Sequence, residues 1–302
     1  MPSSHVADTV PPSAALIAMD DGMPAARERT RGLRRHPTLA AGALLLLTVT
    51  LLSMAAPWIA THDPQDIDPM VRLQGPSSAH WFGTDAMGRD VFSRAMWGGR
   101  ISLVVGLSVA LLATAAGVLL GLLAGFVRWA EGPVMRLMDG LMAIPGILLA
   151  IALMAVTRAS VLTVVVAITI PEIPRVVRLV RSLALTLREQ LFVEAAHAVG
   201  TRLPTILGRH VLPNMMAPLV VQATFVAASA VLIEASLSFL GVGIPAQTPS
   251  WGNMMAEGRN VVAVAFHIIL YPGLLLAATV LSINLVGDGL RDALDPRLAR
   301  QL

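Results

Sequence analysis

At 302 residues, 55% hydrophobic and only 14% charged, with a mean hydropathy of +0.71, the chain is too apolar for an ordinary soluble domain and is expected in a membrane. It has no cysteine, which excludes disulfides, iron–sulfur clusters and thiolate zinc sites. All 22 basic residues are arginine, clustered beside apolar runs as membrane orientation requires rather than along a nucleic-acid surface, and the lack of lysine rules out a G-x-x-x-x-G-K-[ST] phosphate loop in this chain.

Residues 1–37 are rich in Pro, Ala and Ser, show no apolar periodicity and end in Arg27, Arg29, Arg31, Arg34 and Arg35, so a disordered cytoplasmic tail is expected. The next apolar run is longer than the roughly 7–15 residues of a signal-peptide core and close to the ~20 that a bilayer needs, which predicts an uncleaved first span over 38–60. The chain then turns polar. Segment 61–100 is expected outside the cytoplasm, with its final part, where Val91, Phe92, Ala95 and Met96 alternate with Asp90, Arg94 and Arg100, lying flat at the interface between Trp81 and Trp97.

Residues 101–288 read as a core of five further spans. The second, about 101–127, places Gly117, Gly121 and Gly125 on one face, a stripe suited to close helix packing. The third, about 134–156, holds Asp139 and Pro145. The fourth, about 160–180, is expected to be broken by Pro171 and Pro174 around Glu172. The fifth covers about 215–240 and the sixth about 263–286, and 289–302 form a cytoplasmic tail.

Between the fourth and fifth spans lies a cytoplasmic loop, 182–213. Leu191, Phe192, Ala195 and Val199 fall near one face of a short helix, while Arg188, Glu189 and His197 point elsewhere. Ala195 and Ala196 keep its surface low enough for another protein to approach. Gly200 suits a helix end, and Pro204 the start of a second short helix. The element reads as a docking knuckle.

Glu194-Ala195-Ala196, Gly200 and Leu212-Pro213 resemble the EAA loop of the membrane subunits of ATP-driven importers. His210 departs from that pattern, which prefers isoleucine there, although a polar residue before Leu-Pro-Asn is similar to the peptide branch. Gly83-Thr84-Asp85, Gly88-Arg89-Asp90 and Ser93-Arg94 resemble the segment before the second span of dipeptide and oligopeptide permeases. Glu234-Ala-Ser-Leu-Ser-Phe-Leu-Gly241 and the closing Gly287-Asp288, Leu290-Arg291-Asp292 and Leu294-Asp295-Pro296-Arg297 extend the likeness over most of 80–302.

The resemblance implies an all-α polytopic membrane protein with six transmembrane helices and the type I ABC importer permease fold, sited in the bacterial cytoplasmic membrane with both ends cytoplasmic. It implies a permease subunit importing di- or oligopeptides, coupled through Glu194, Ala195, Ala196, Gly200, Leu212 and Pro213. The implied partners are a second homologous permease, two ABC ATPase subunits that use ATP and magnesium, an extracytoplasmic peptide-binding protein and membrane lipid, with no nucleic acid and no cofactor in this chain. Import of another small solute, such as a nickel chelate or a haem-like ligand, is the alternative within the class.

Arginine placement agrees. Arg128, Arg136, Arg181, Arg188, Arg202, Arg209, Arg291, Arg297 and Arg300 join the N-terminal cluster inside, against Arg72, Arg89, Arg94, Arg100, Arg158 and Arg259 outside. Within the spans, Glu234, Glu172 and Asn284 are candidates for lining a pathway or for helix packing. A buried acid costs roughly 2.5–3.5 kcal/mol to insert, so each needs a partner. For Glu234 the structural reading, a carboxylate paired with Arg or backbone donors, is preferred; a proton-coupled transporter using Glu172 and Glu234 is a more distant alternative. Asp139 and Asp288, near the cytoplasmic ends, are expected to snorkel or to pair with Arg136 and Arg291. The seven histidines have no ligand spacing, so no metal site is expected, and no hydrolase motif occurs, so the chain is not expected to be an enzyme.

Overall fold

The computed structural model describes residues 37–294; the expected N-terminal tail, except Pro37, and the chain beyond 294 lie outside the described residues. Nine helices organise it: α1 (Pro37–Met54), α2 (Val91–Phe126), α3 (Arg128–Met142), α4 (Gly146–Val156), α5 (Val161–Arg188), α6 (Leu191–Ala198), α7 (Leu212–Phe239), α8 (Trp251–Gly258) and α9 (His267–Leu294). An isolated bridge between Thr84 and Asp90 is the only β pairing among the described residues. The all-α expectation is met.

Four helices, α1, α2, α9 and the stretch Leu203–Phe239 that contains α7, are long and apolar enough to cross a membrane, and the bent pair α3–α4 makes a fifth. The remaining predicted span, α5, has the length, at 28 residues, but carries Glu172, Arg175 and Arg178 in its first two-thirds.

Several expected boundaries are corrected. Residues 91–100 do not form a separate interfacial helix. They are the first turns of α2, which at 36 residues is about 54 Å long and outreaches a ~30 Å hydrocarbon layer. Asp90 starts this helix by accepting a hydrogen bond from the Ser93 amide at 2.7 Å. The third span is bent by 89° between Met142 and Gly146, because Pro145 offers no amide hydrogen and biases Ile144 away from helical backbone. Only α4, 11 residues and about 16 Å, is uniformly apolar; α3 carries Arg128, Glu131, Arg136 and Asp139. The fourth span is not broken, since α5 runs continuously through both prolines from a capping box of Ser160 and Thr163. The last helix begins at His267 and continues through Asp288 to Leu294, so the expected tail starts later.

The core lies where α2 meets α5. Gly117, Gly121 and Gly125 sit against Val176, Val180 and Ala184, so closely that a Cβ on them would come within 2.4, 2.6 and 2.5 Å of the facing side chains. This is the packing expected of the stripe. α7 packs against α2, α5 and α9, and α9 lies along α1. Leu39 of α1 meets Gly289 of α9, and Ser53 of α1 meets Gly99 of α2. The two described ends of the chain therefore share one end of the bundle with the C-terminus of α5 and the N-terminus of α7.

The opposite end is closed by segment 60–90 and α8, an element that sequence reading missed. Trp251 of α8 is fully buried and donates its indole N–H to the Ala95 carbonyl at 2.9 Å. Beside it, Arg94 contacts Asp85 at 2.8 Å and Glu257 at 3.1 Å, while Arg89 contacts the same two acids at 2.7 Å each. Gly88 has φ +81° and presses on the Asp68 carbonyl, where a Cβ would lie 1.8 Å from oxygen. The Gly-Thr-Asp and Gly-Arg-Asp motifs are thus turns, a cap and a buried ion cluster. The residues expected at a wet interface are held inside by mutual neutralisation.

Replacing Gly121 with Leu should overpack the α2–α5 contact by about 1–3 kcal/mol and lower the thermal midpoint of the purified protein, whereas Gly132→Ala, which meets open space, should leave it nearly unchanged. Arg94→Met, which leaves Asp85 and Glu257 short of a buried cation, should cost about 3–5 kcal/mol in the same measurement.

Candidate functional site

The polar loop closes the end of the bundle where α5 stops at Arg188. Glu189 and Gln190 turn the chain into α6, which ends at Gly200 with φ +77°. The Gly200 amide donates to the His197 carbonyl at 2.9 Å and the Thr201 amide to the Ala196 carbonyl at 3.0 Å, the paired bonds of a Schellman stop. A single turn, Leu203–Ile206, follows with Pro204 in its first positions, then a wide π turn, Leu207–Val211, leads into α7. Pro213 explains that widening, since it has no amide hydrogen and its ring crowds the carbonyl four residues back. Asn214 ties the junction by donating its side-chain amide to the His210 carbonyl at 2.6 Å.

The loop has two apolar faces. Val193, Ala196, Ile206 and Val211 are buried in the same cluster as Val180 and Ala184 of α5 and Met215 of α7. Leu191 and Val199 are about 80% exposed and Phe192 41%, with Ala195 exposed between them. The rim is polar: Arg188, Glu189, Glu194, His197, Arg202 and Arg209 are all exposed. An apolar strip rimmed by charge fits a protein partner rather than lipid tails.

Of the six residues assigned to coupling, Glu194, Ala195, Gly200 and Pro213 lie on the outer surface, and Leu212 is half-buried against the core. Ala196 is corrected. It faces inward at 9% exposure, so its small size lets α6 sit close to the bundle instead of lowering the outer surface. Glu194 makes no ion pair among the described residues.

The interior candidates lie elsewhere. Glu234 of α7 is fully buried and accepts hydrogen bonds at 2.9 Å from Ser102 of α2 and from Ser238 one turn on. Its partners are serine hydroxyls, not the arginine or backbone donors expected. Glu172 of α5 accepts from Ser229 of α7 at 2.8 Å and lies 3.3 Å from exposed Arg175. Each acid therefore joins α7 to a neighbour. Asn284 is half-buried on α9. Asp139 pairs with Arg178 of α5 at 2.7 Å, not with Arg136, because the bend at Pro145 turns α3 toward α5; Glu131 likewise reaches Arg181. Asp288 is exposed and forms no ion pair among the described residues.

A family model described as "Binding-protein-dependent transport system inner membrane component" matches residues 117–300, and one described as "N-terminal TM domain of oligopeptide transport permease C" matches residues 26–76. The chain is 51% identical over 268 residues to the "Probable peptide ABC transporter permease protein y4tQ" of Sinorhizobium fredii, covering 89% of this chain and 92% of that one. It is 41% identical to the dipeptide transport system permease protein DppC of Alkalihalophilus pseudofirmus, over 90% of each chain. It is 42% identical to the di/tripeptide transport system permease protein DppC of Pseudomonas aeruginosa, over 85% and 87%. Among solved structures, the MetNI methionine ABC transporter contains a chain that superposes with a TM-score of 0.57 at 20% identity, over 67% of this chain and 97% of that one, a likeness of fold.

Gly200→Ala places a side chain in open space yet forces it into left-handed backbone, so a loss of about 1–2 kcal/mol is expected, read as faster hydrogen exchange of the Gly200 and Thr201 amides.

Proposed function

The chain belongs to the binding-protein-dependent transport system inner membrane components, and from that premise we propose that it carries small peptides inward, driven by an ATPase docked on residues 191–213. It is a multi-pass permease of the cytoplasmic membrane in an ABC importer, a class that works with ATPase partners and a second permease. The peptide assignment is supported by the names of relatives that match along nearly the whole chain, which read peptide, dipeptide and di/tripeptide. The full complex is two permeases, two ATPases with ATP and magnesium, and an extracytoplasmic peptide-binding protein. No chemistry is assigned to this chain, whose only cations are arginines and which has no phosphate loop.

The observation that carries the docking reading is the strip formed by Leu191, Phe192, Ala195 and Val199. It stands on the end of the bundle that also holds the start of α1 and the end of α9, so this end faces the cytoplasm if both tails do. Glu194, unpaired at the edge of the strip, meets a cation of the ATPase, and Gly200 lets the chain turn without widening the knuckle. Coupling follows from packing. Val193 and Ala196 of α6 belong to the cluster shared by α2, α4, α5 and α7, so a push on α6 moves those helices as one body. Glu172 and Glu234 keep α7 from slipping past α5 and α2 during that movement.

With the complete transporter reconstituted in liposomes, Glu194→Lys and Gly200→Asp are expected to lower ATP-driven dipeptide uptake about tenfold or more, equivalent to ~1.4 kcal/mol of lost coupling, while the subunits stay assembled and ATP is still hydrolysed. Unchanged uptake in both variants would remove the docking role.

A further inference from the structure

At the end of the bundle opposite the docking loop, two histidines far apart in sequence come together over the cap of α2. The Nδ1 of His80 lies 3.0 Å from Asp90 Oδ1 and the Nδ1 of His62 lies 3.9 Å from the same oxygen. The two imidazole rings are stacked with centroids 4.6 Å apart. One donor atom from each of the three residues falls within 4.8 Å of the others.

We propose that His62, His80 and Asp90 bind a divalent transition-metal ion of the zinc class, which fastens the chain leaving α1 to the first turn of α2. For zinc, with bonds of about 2.0–2.2 Å to imidazole nitrogen and carboxylate oxygen, the edges of a tetrahedron are about 3.4 Å. The two measured distances to Asp90 Oδ1 fall on either side of that value and no pair of donors exceeds 4.8 Å, so a side-chain adjustment of up to about 1.4 Å brings the donors to it. Asp90 is already fixed: its Oδ2 holds the Ser93 amide, which leaves Oδ1 to the histidines. The His80 side chain is 12% exposed, whereas that of His62 is 40% exposed and has room to adjust.

A recess of about 100 Å³ opens beside these donors, lined also by Asp66, Asp68, Val71 and Gly88. Liquid water occupies about 30 Å³ per molecule, so the recess takes an ion with one or two waters. Its lining contains three carboxylates and no arginine, which favours a dication. Asp68 is engaged in capping the Pro69–Val71 turn through the Met70 amide at 2.9 Å, so exposed Asp66 or a water supplies the fourth position. Two imidazoles select a borderline ion of the zinc, nickel or copper kind over calcium or magnesium, which take oxygen.

A purely structural arrangement needs only His80, whose ring N–H on Asp90 satisfies the cap. The second imidazole, stacked on the first, has its Nδ1 3.0 Å from Thr61 Oγ1 and 3.9 Å from the same Asp90 oxygen, beyond hydrogen-bond reach, so its place beside His80 is not needed to bond that oxygen and it completes a ligand set. Sequence reading expected no metal because the ligands lie on two turns separated by an irregular stretch, with no repeat to mark them.

The test uses the full-length protein in detergent, purified without a histidine tag and stripped with a chelator, then titrated with zinc alone by calorimetry and with cobalt(II) by absorption. One equivalent of zinc, a cobalt spectrum of tetrahedral intensity, and binding weakened about tenfold or more in His62→Ala are expected. His62 joins the cap through its main-chain amide, which donates to Ser93 Oγ at 3.1 Å and is kept in His62→Ala, and an unchanged far-UV spectrum checks that the variant keeps the fold. Absence of stoichiometric zinc binding in the native protein, or equal affinity in His62→Ala, overturns the site. Neither result depends on the docking loop or on the substrate.

Discussion

Three glycines on one face of α2 let α5 approach until Val176, Val180 and Ala184 rest on bare backbone. In a membrane, helices gain nothing from hiding apolar side chains from lipid, so association depends on close packing and on polar groups that find partners. The glycine seam provides the first. It also puts the C-termini of α2 and α5 together, where the loop proposed to dock the ATPase begins. Without that contact the loop would have no rigid body beneath it.

The partnered polar groups follow the same logic at three depths. At the loop end, Asp139 and Glu131 of α3 meet Arg178 and Arg181 of α5. Within the bundle, Glu172 and Glu234 take serine hydroxyls across helix boundaries. At the far end, Arg89, Arg94, Asp85 and Glu257 neutralise each other beside Trp251. Acids that would read as relay groups in a proton-coupled carrier are here fasteners of α7, which accords with a machine whose energy enters through a partner at one end. The histidine pair above Asp90 belongs to the far end, and a metal there would stiffen the cover, not the pathway.

Much of the candidate site was legible because its residues are close in sequence. Leu191, Phe192, Ala195 and Val199 share a helical face by spacing alone, and Gly200 marks a stop that few other residues can make. Ala196 was misread, since it and Ala195 are both small and apolar and only the bundle decides which of them turns inward. The bend at Pro145 and the unbroken helix through Pro171 and Pro174 show the limit of reading proline. The first lies where the chain changes from charged to apolar, and the second lies in a helix held along its length by α2.

By itself the sequence determined that this is a helical membrane protein, how many apolar runs it has, and which short segment stands out from them, because hydropathy, charge and turn residues act over neighbours along the chain. Tertiary structure alone decided that Asp139 finds Arg178, that Glu234 finds Ser102, that α8 closes the far end, and that His62 and His80 meet over Asp90. Each of these joins residues distant in the chain, and a buried polar group settles on whichever partner the packing brings within reach.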